Sequence, residues 1–105
     1  MIRVTLHSQG GCIIGFEVKG HAGFAEAGQD IVCAAVSILT TTCANALETV
    51  AGVRPMVKTG EGRMLLALPN GSGHDHDAQV ILQTMRQGLR DLAEEYSRYI
   101  LLNEL

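Results

Sequence analysis

Residues 30–52 read DIVCAAVSILTTTCANALETVAG, and this stretch decides the architecture of the chain. Asp30 is a favourable helix N-cap and Gly52 a typical residue just past a helix end, so one helix is predicted between them. Apolar side chains cover most of that helix, which predicts that it is covered on more than one side. Its uncharged part, residues 31–47, is too short and too polar for a span of roughly 20 mostly apolar residues, so no membrane contact is expected.

Two segments that alternate in polarity precede this helix. Their apolar faces consist of Ile2, Val4 and Leu6 in the first, and Ile14, Phe16 and Val18 in the second. The glycine-containing turn at residues 9–11 joins them, which predicts a β-hairpin. The aperiodic residues 20–30 that follow are predicted to form a long loop.

A second hairpin and a second helix follow the first helix. Short strands are predicted at residues 56–58 and 63–68, around a glycine turn at residues 60–62. Apolar side chains at spacings of three and four between residues 78 and 99 predict a long amphipathic helix with a tail behind it. The order ββαββα predicts one α+β domain over residues 1–105, a two-layer sandwich of a four-stranded sheet and two helices.

Composition narrows the class of protein. The chain has 105 residues, 47% hydrophobic and 18% charged, which excludes a disordered chain and two independent cores. Aromatic residues make up only 4% and the formal net charge is −3, so direct nucleic-acid binding is not expected. Three cysteines without a CxxC pair, and no leading stretch ordered like a signal peptide, predict a cytoplasmic protein with free thiols.

The residues that can do chemistry flank the long loop. Cys33 falls in the first turn of the predicted helix, where the positive end of the dipole favours an anion and makes a thiol a better nucleophile. His21 ends the second strand, and the loop brings the chain back within reach of the sulfur. A thiolate and an imidazolium are the pair that acyl transfer from a peptide needs. Free N–H groups of the first turn, including that of Cys33, are expected to hold the oxyanion.

Each of these residues also has a structural interpretation. A cysteine on an apolar helix is more often a core residue than a nucleophile, and His21 between glycines can be a loop residue bonded to backbone. Asp30 is first of all the helix cap, a role compatible with a supporting one in catalysis. Ser37, one turn beyond Cys33, is interpreted mainly as a small interface or back-bonding hydroxyl, with an orientation toward the site as the alternative.

The other candidate groups are not assigned a function. Cys12 and Cys43 are interpreted as core residues. Residues 74–77 read His-Asp-His-Asp, which are metal-binding types, but residues two apart on a helix diverge, so a solvated helix start is favoured and no metal site is predicted. No glycine-rich loop has the Lys and Ser/Thr spacing that cradles phosphates, and no cofactor is expected.

Two motifs occur together in this chain. They are Gly20-His21-Ala22-Gly23, and Gly28-x-Asp30-Ile-Val-Cys33-Ala-Ala-Val-Ser37. The pair closely resembles the ribosomal-processing cysteine protease family of bacteria, and the resemblance covers essentially the whole chain. It implies a peptidase with His21 as base and acid and Cys33 as nucleophile, supported by Asp30 and Ser37, and a homodimeric assembly.

The resemblance also implies a substrate. Family members remove a short N-terminal extension from a large-subunit ribosomal protein, here expected to be of the L-twenty-seven type. The competing interpretation is a non-catalytic ribosome-associated binding module in which Cys33 and His21 are structural. A redox sensor at Cys33 is the weaker third interpretation, because no second cysteine is placed to resolve a sulfenic acid.

The long loop is expected to contact substrate through Gly20, Ala22, Gly23, Phe24 and Gly28. Residues 22–29 are predicted to form a lid, with Gly23 and Gly28 as hinges and Phe24 packing on the core or on a bound peptide. The alternative is a rigid loop that Phe24 anchors. A homodimer that buries part of either helix is predicted from the apolar faces.

Overall fold

The computed structural model describes residues 1–26 and 28–105. Its elements in chain order are β1 (Ile2–Gln9), β2 (Cys12–Lys19), α1 (Ile31–Thr49), β3 (Met56–Gly60), β4 (Arg63–Ala67), α2 (His76–Glu95) and β5 (Ile100–Glu104). The five strands form one sheet in the order β3-β4-β2-β1-β5. All neighbouring strands are antiparallel except β1 and β5, which are parallel. The predicted α+β class and both predicted helices are confirmed, but the second helix ends at Glu95 and does not extend to Tyr99 as predicted.

The first hairpin forms as predicted, with one change of register. Gly10 and Gly11 make its turn at φ of 60° and 81°, a conformation that glycine adopts without strain. The pairing shifts between His7 and Ser8. A bulge of this kind changes which side chains face inward. Ile13 is therefore fully buried while Ile14 is only half-buried, so the predicted alternation at Ile14 was wrong.

Both helices pack on one face of the sheet and form a single core with it. The core side of α1 consists of Val32, Val36, Thr40, Ala44 and Leu47, and that of α2 of Ala78, Leu82, Met85 and Leu89. The two helices approach closely at Gly88, where an added Cβ would lie 2.7 Å from a methyl carbon of Leu39. The structure is thus the predicted two-layer sandwich.

The predicted four-stranded sheet was wrong, because the chain adds a fifth strand after α2. The helix ends at Glu95, and Tyr96, the C-cap, has φ −116° and ψ 48°, which are not helical angles. Ile100 then pairs with Ile2 at the start of a parallel ladder that extends to Glu104. The segment covers an edge of β1 that a four-stranded sheet would leave unpaired.

Helix α1 is less covered than its composition predicts. Among the described residues it is the one helix long and apolar enough to pass a length-and-composition test for a membrane span. Its buried side lies in the core, whereas Ile31 is 56% and Ile38 66% exposed. One face of α1 therefore carries apolar side chains that nothing within the chain covers in the described structure.

Candidate active site

Cys33 lies in the first turn of α1, and Asp30 caps that turn as predicted. Oδ1 of Asp30 accepts hydrogen bonds from the N–H groups of Val32 (3.0 Å) and Cys33 (2.9 Å). The expectation that the N–H of Cys33 is free to hold an oxyanion was therefore wrong, since the cap uses it. The Asp30 carboxylate is itself the anion that the helix end stabilises.

The second oxygen of Asp30 holds the long loop against the helix. Oδ2 accepts from the N–H groups of Phe24 (3.1 Å) and Ala25 (3.4 Å). These bonds, with that of the Cys33 N–H as the largest cause, hold the pKa of Asp30 below its usual value despite its burial. At neutral pH one ionised carboxylate therefore fixes both the start of the helix and the loop.

The backbone between His21 and Cys33 brings the two predicted catalytic residues into one site. The N–H of Ala22 donates a hydrogen bond to Sγ of Cys33 at 3.2 Å. The carbonyl of His21 accepts from the amino group of Met1 at 2.6 Å, and Gly20 bonds through its N–H to the carbonyl of Gly62 at 2.8 Å. The chain around His21 is thus tied to three neighbours.

Gly62 is a site residue that the sequence analysis missed. It lies in the turn between β3 and β4 with φ 64°, and a Cβ built on it would stand 2.8 Å from Nε2 of His21. A side chain at residue 62 would force the imidazole to move, so the imidazole keeps this position only because residue 62 is glycine. The glycine turn at residues 60–62 was recognised, but only the fold shows which side chain faces it.

Two clefts share Cys33 as a wall residue. One measures about 280 Å³ and extends toward the second hairpin, at Thr59 and Arg63. The other measures about 500 Å³ and is lined by residues of the long loop and by Glu61 in the turn between β3 and β4. His21, Cys33 and Ser37 line both clefts, so Ser37 lies beside the two predicted catalytic residues, and a role of its hydroxyl in catalysis stays a prediction.

The glycines of the predicted substrate loop lie around these clefts. Gly20 lines the first cleft, and Gly23 and Gly28 line the second. Ala22 differs from them, because its side chain is only 4% exposed and belongs to the core. Its contribution to the site is the backbone N–H rather than the methyl group.

Phe24 packs on aromatic rings that follow α2. Its ring makes edge contacts with Tyr96 and Tyr99, at centroid distances of 6.0 and 5.2 Å. These contacts support the interpretation of Phe24 as an anchor. Within the predicted lid, residues 22–29, Ala27 lies outside the described residues, and opening of the lid on substrate binding stays a prediction.

The two other cysteines have different surroundings. Cys43 packs at the margin of the core, where burial raises the pKa of its thiol. Cys12 lies outside the core, and its Sγ is 3.3 Å from Nδ1 of His74, so its assignment to the core was wrong. In residues 1–26 and 28–105 no group of three or more potential metal ligands occurs.

The sequence of this chain is similar to that of known cysteine proteases. The sequence pattern of the family described as "Cysteine protease Prp" matches residues 1–101. The ribosomal processing cysteine protease Prp of Bacillus subtilis is 34% identical over 103 residues, which cover 91% of this chain and 90% of that protein. The chain belongs to the Prp cysteine protease family. The resemblance seen in its two motifs is thereby confirmed.

Solved structures agree with the family assignment. Staphylococcus aureus Prp in complex with a covalently linked product peptide superposes with a TM-score of 0.93, at 31% identity and with 100% of both chains covered. The same protease in complex with a substrate peptide gives a TM-score of 0.87, at 30% identity and again with full coverage. The fold described above is therefore that of a Prp cysteine protease.

Proposed function

We propose that this protein is a cysteine endopeptidase with Cys33 as nucleophile and His21 as base and acid. The observation that carries the proposal is that both residues lie in the walls of two clefts, which share Cys33 as a wall residue. A peptide laid across that point has one cleft for the residues before the scissile bond and one for those after it. An endopeptidase needs room on both sides.

The proposed reaction uses the Cys33 thiol as nucleophile and the His21 imidazole to move protons. His21 takes the proton of the Cys33 thiol, and the thiolate attacks the scissile carbonyl carbon. The resulting imidazolium protonates the leaving amine, and a thioester remains on Cys33. His21 then takes a proton from water, whose oxygen attacks the thioester carbon. The carbon–sulfur bond breaks, the new carboxyl terminus leaves, and His21 returns the proton to the Cys33 thiolate. No step requires a cofactor.

The oxyanion needs a donor other than the capped N–H of Cys33. The N–H of Ala22 points at Sγ in the free protein, and the carbonyl carbon that bonds to sulfur brings its oxygen into the same region. We therefore assign Ala22 as one oxyanion donor. Asp30 positions this donor indirectly, because it accepts hydrogen bonds from the N–H groups of Phe24 and Ala25 in the same loop. Ser37 lies beside the proposed substrate path.

The proposed substrate is the N-terminal extension of a large-subunit ribosomal protein of the L-twenty-seven type. The name of the Bacillus subtilis relative, a ribosomal processing cysteine protease, supports a ribosomal substrate. The Staphylococcus aureus relatives with bound product and substrate peptides support a peptide ligand. The product would be the mature ribosomal protein and a short peptide.

The proposed setting is the cytoplasm, with the protein as a homodimer that contacts neither a membrane nor nucleic acid directly. The exposed side chains of Ile31 and Ile38 on α1, and of Met56 on the edge strand β3, support an interface between two copies. Light scattering at micromolar concentration should report twice the mass of the chain. A monomer there would remove the assembly from the proposal.

Cleavage of the host's own ribosomal protein tests the proposed reaction. The wild type should shorten that protein at its N-terminus, and Cys33→Ala should leave it intact while retaining the fold. Cys43→Ala is the matched control, a cysteine on the same helix that should be dispensable. Binding of the ribosomal protein without cleavage by the wild type would favour the non-catalytic binding module instead.

A further inference from the structure

A second cysteine and histidine meet at the opposite end of β2. Cys12 is the first residue of that strand, and His74 lies just before α2. Sγ of Cys12 and Nδ1 of His74 are 3.3 Å apart, at an exposed position. Since β2 has eight residues and a strand rises about 3.3 Å per residue, this pair lies on the order of 25 Å from the peptidase site.

One side chain holds the segments that carry the pair. Nε2 of Gln79 donates to the carbonyls of Ile13 (2.7 Å) and Gly73 (2.9 Å), the residues adjacent to Cys12 and His74. Oε1 of Gln79 accepts from the N–H of Ile13 at 2.9 Å. The glutamine therefore fixes the start of β2 against the loop before α2, and the cysteine and histidine are brought together by the fold.

The pair opens onto a cleft of its own. This cleft measures about 540 Å³, more than the one at Thr59 and Arg63 in the peptidase site. Besides Cys12 and His74, its walls include Gln9, Ile14, Pro69 and Asn70. A small molecule with peptide-like polar groups can thus reach the sulfur, with amide side chains nearby to bind it.

We propose that Cys12 is a thiol-disulfide exchange site for a small disulfide, with His74 as its proton acceptor. A metal ion fits less well, because structural and catalytic zinc sites take three or four protein ligands and the described residues add no third one here. Covalent exchange needs only the sulfur, a base and access.

The exchange step is balanced without another reactant. His74 takes the proton of the Cys12 thiol, and the thiolate attacks one sulfur of the disulfide R–S–S–R. A bond forms between Cys12 and that sulfur, the original S–S bond breaks, and the departing thiolate takes the proton from His74. Cys12 is oxidised to a mixed disulfide, and half of the small disulfide is reduced to R–SH.

The test uses the full chain with Cys33→Ala, so that the peptidase thiol does not contribute. Glutathione disulfide is the probe, and intact mass with peptide mapping locates the adduct. One mixed disulfide should form on Cys12, while Cys43, whose thiol is held protonated by burial, stays free. No adduct, or equal modification of Cys12 and Cys43 in the folded chain, would overturn the proposal.

Two histidine variants distinguish assistance by His74 from simple exposure of the Cys12 thiol. His74→Ala should slow the modification of Cys12 about tenfold or more, because general-base assistance is lost. His76→Ala, two residues away and also exposed, is the matched control and should react like the parent. Equal rates in all three proteins would show that His74 does not assist.

Discussion

A cysteine and a histidine lie near each end of β2, but the two pairs have different surroundings. At one end Cys12 and His74 are in direct contact beside a single cleft. At the other, Cys33 accepts a hydrogen bond from a backbone N–H, lies in the first turn of the capped helix α1 and lines two clefts. Contact between sulfur and imidazole is thus not what distinguishes a peptidase. We propose that peptide cleavage uses the two clefts beside Cys33 and the N–H of Ala22 as an oxyanion donor.

Replacing His21 and His74 one at a time should give the largest difference in kcat/KM. His21→Ala is expected to lower kcat/KM for the ribosomal substrate by about 10²- to 10⁴-fold, because the enzyme loses its proton acceptor and donor. His74→Ala should leave kcat/KM within a factor of two of the wild type, on the order of measurement scatter for a residue outside the site. Steady-state kinetics on both variants decides, and an equal loss in the two would break the comparison.

Gly62 sharpens the comparison, because the atoms nearest to a Cβ at this position all belong to the His21 imidazole. Gly62→Ala should lower kcat about 10- to 100-fold with little change in KM, since the new methyl group displaces the imidazole from its productive place. Gly10→Ala is the matched control: its φ of 60° is close to the 64° of Gly62, but a Cβ there would meet nothing within 4 Å. If both variants lose kcat alike, backbone strain is the cause and the positioning role is wrong.

Replacing Phe24 tests whether the loop beside Cys33 depends on its contacts with Tyr96 and Tyr99. Phe24→Ala removes two edge contacts and should speed hydrogen exchange of the amides at residues 23–26, with a several-fold lower kcat/KM, on the order expected from aromatic pairs. Leu101→Ala is the control, with 43% exposure against 40% for Phe24. Unchanged exchange in Phe24→Ala would mean that Asp30 alone holds the loop.

Low pH should destabilise the start of α1 and the loop bound to it, because both depend on the ionised carboxylate of Asp30. The folded pKa of this carboxyl lies below its ordinary value of 3.8, so its contribution to stability is complete above that pH and is lost as pH falls through the folded pKa. At pH 7, Asp30→Asn should melt about 5 °C below the wild type. The difference should shrink below pH 3.8. A melting-temperature difference that stays constant from pH 7 to pH 3, a range of about four units that includes the ordinary pKa of 3.8, would contradict the account.

Local rules were enough to predict most of the fold. Asp30 caps α1 and Gly52, with φ 69°, follows its end, as the sequence indicates. The fifth strand was missed because its few residues follow a helical pattern that continues through Tyr96 and Tyr99, and its partner β1 is distant in sequence. Such a short parallel pairing leaves no periodic signal of its own.

The sequence predicted the part of the candidate site that lies within one local segment and missed the contacts between distant residues. His21, Cys33 and Asp30 belong to one local segment, and their motif carries the signal. Gly62 and the contact between Cys12 and His74 join residues that are far apart in the chain, so no spacing rule finds them. The role expected for the Cys33 N–H failed because the cap competes for the same donor.

Covalent labelling by a substrate-like peptide tests the central claim most directly. A peptide with the sequence of the ribosomal extension and a chloromethyl ketone at its carboxyl end should bind along the clefts and alkylate the catalytic thiol. The account predicts a single label on Cys33, mapped by mass spectrometry, that is greatly slowed in His21→Ala and unaffected in His74→Ala. A label on Cys12 that depends on His74, with Cys33 free, would contradict it.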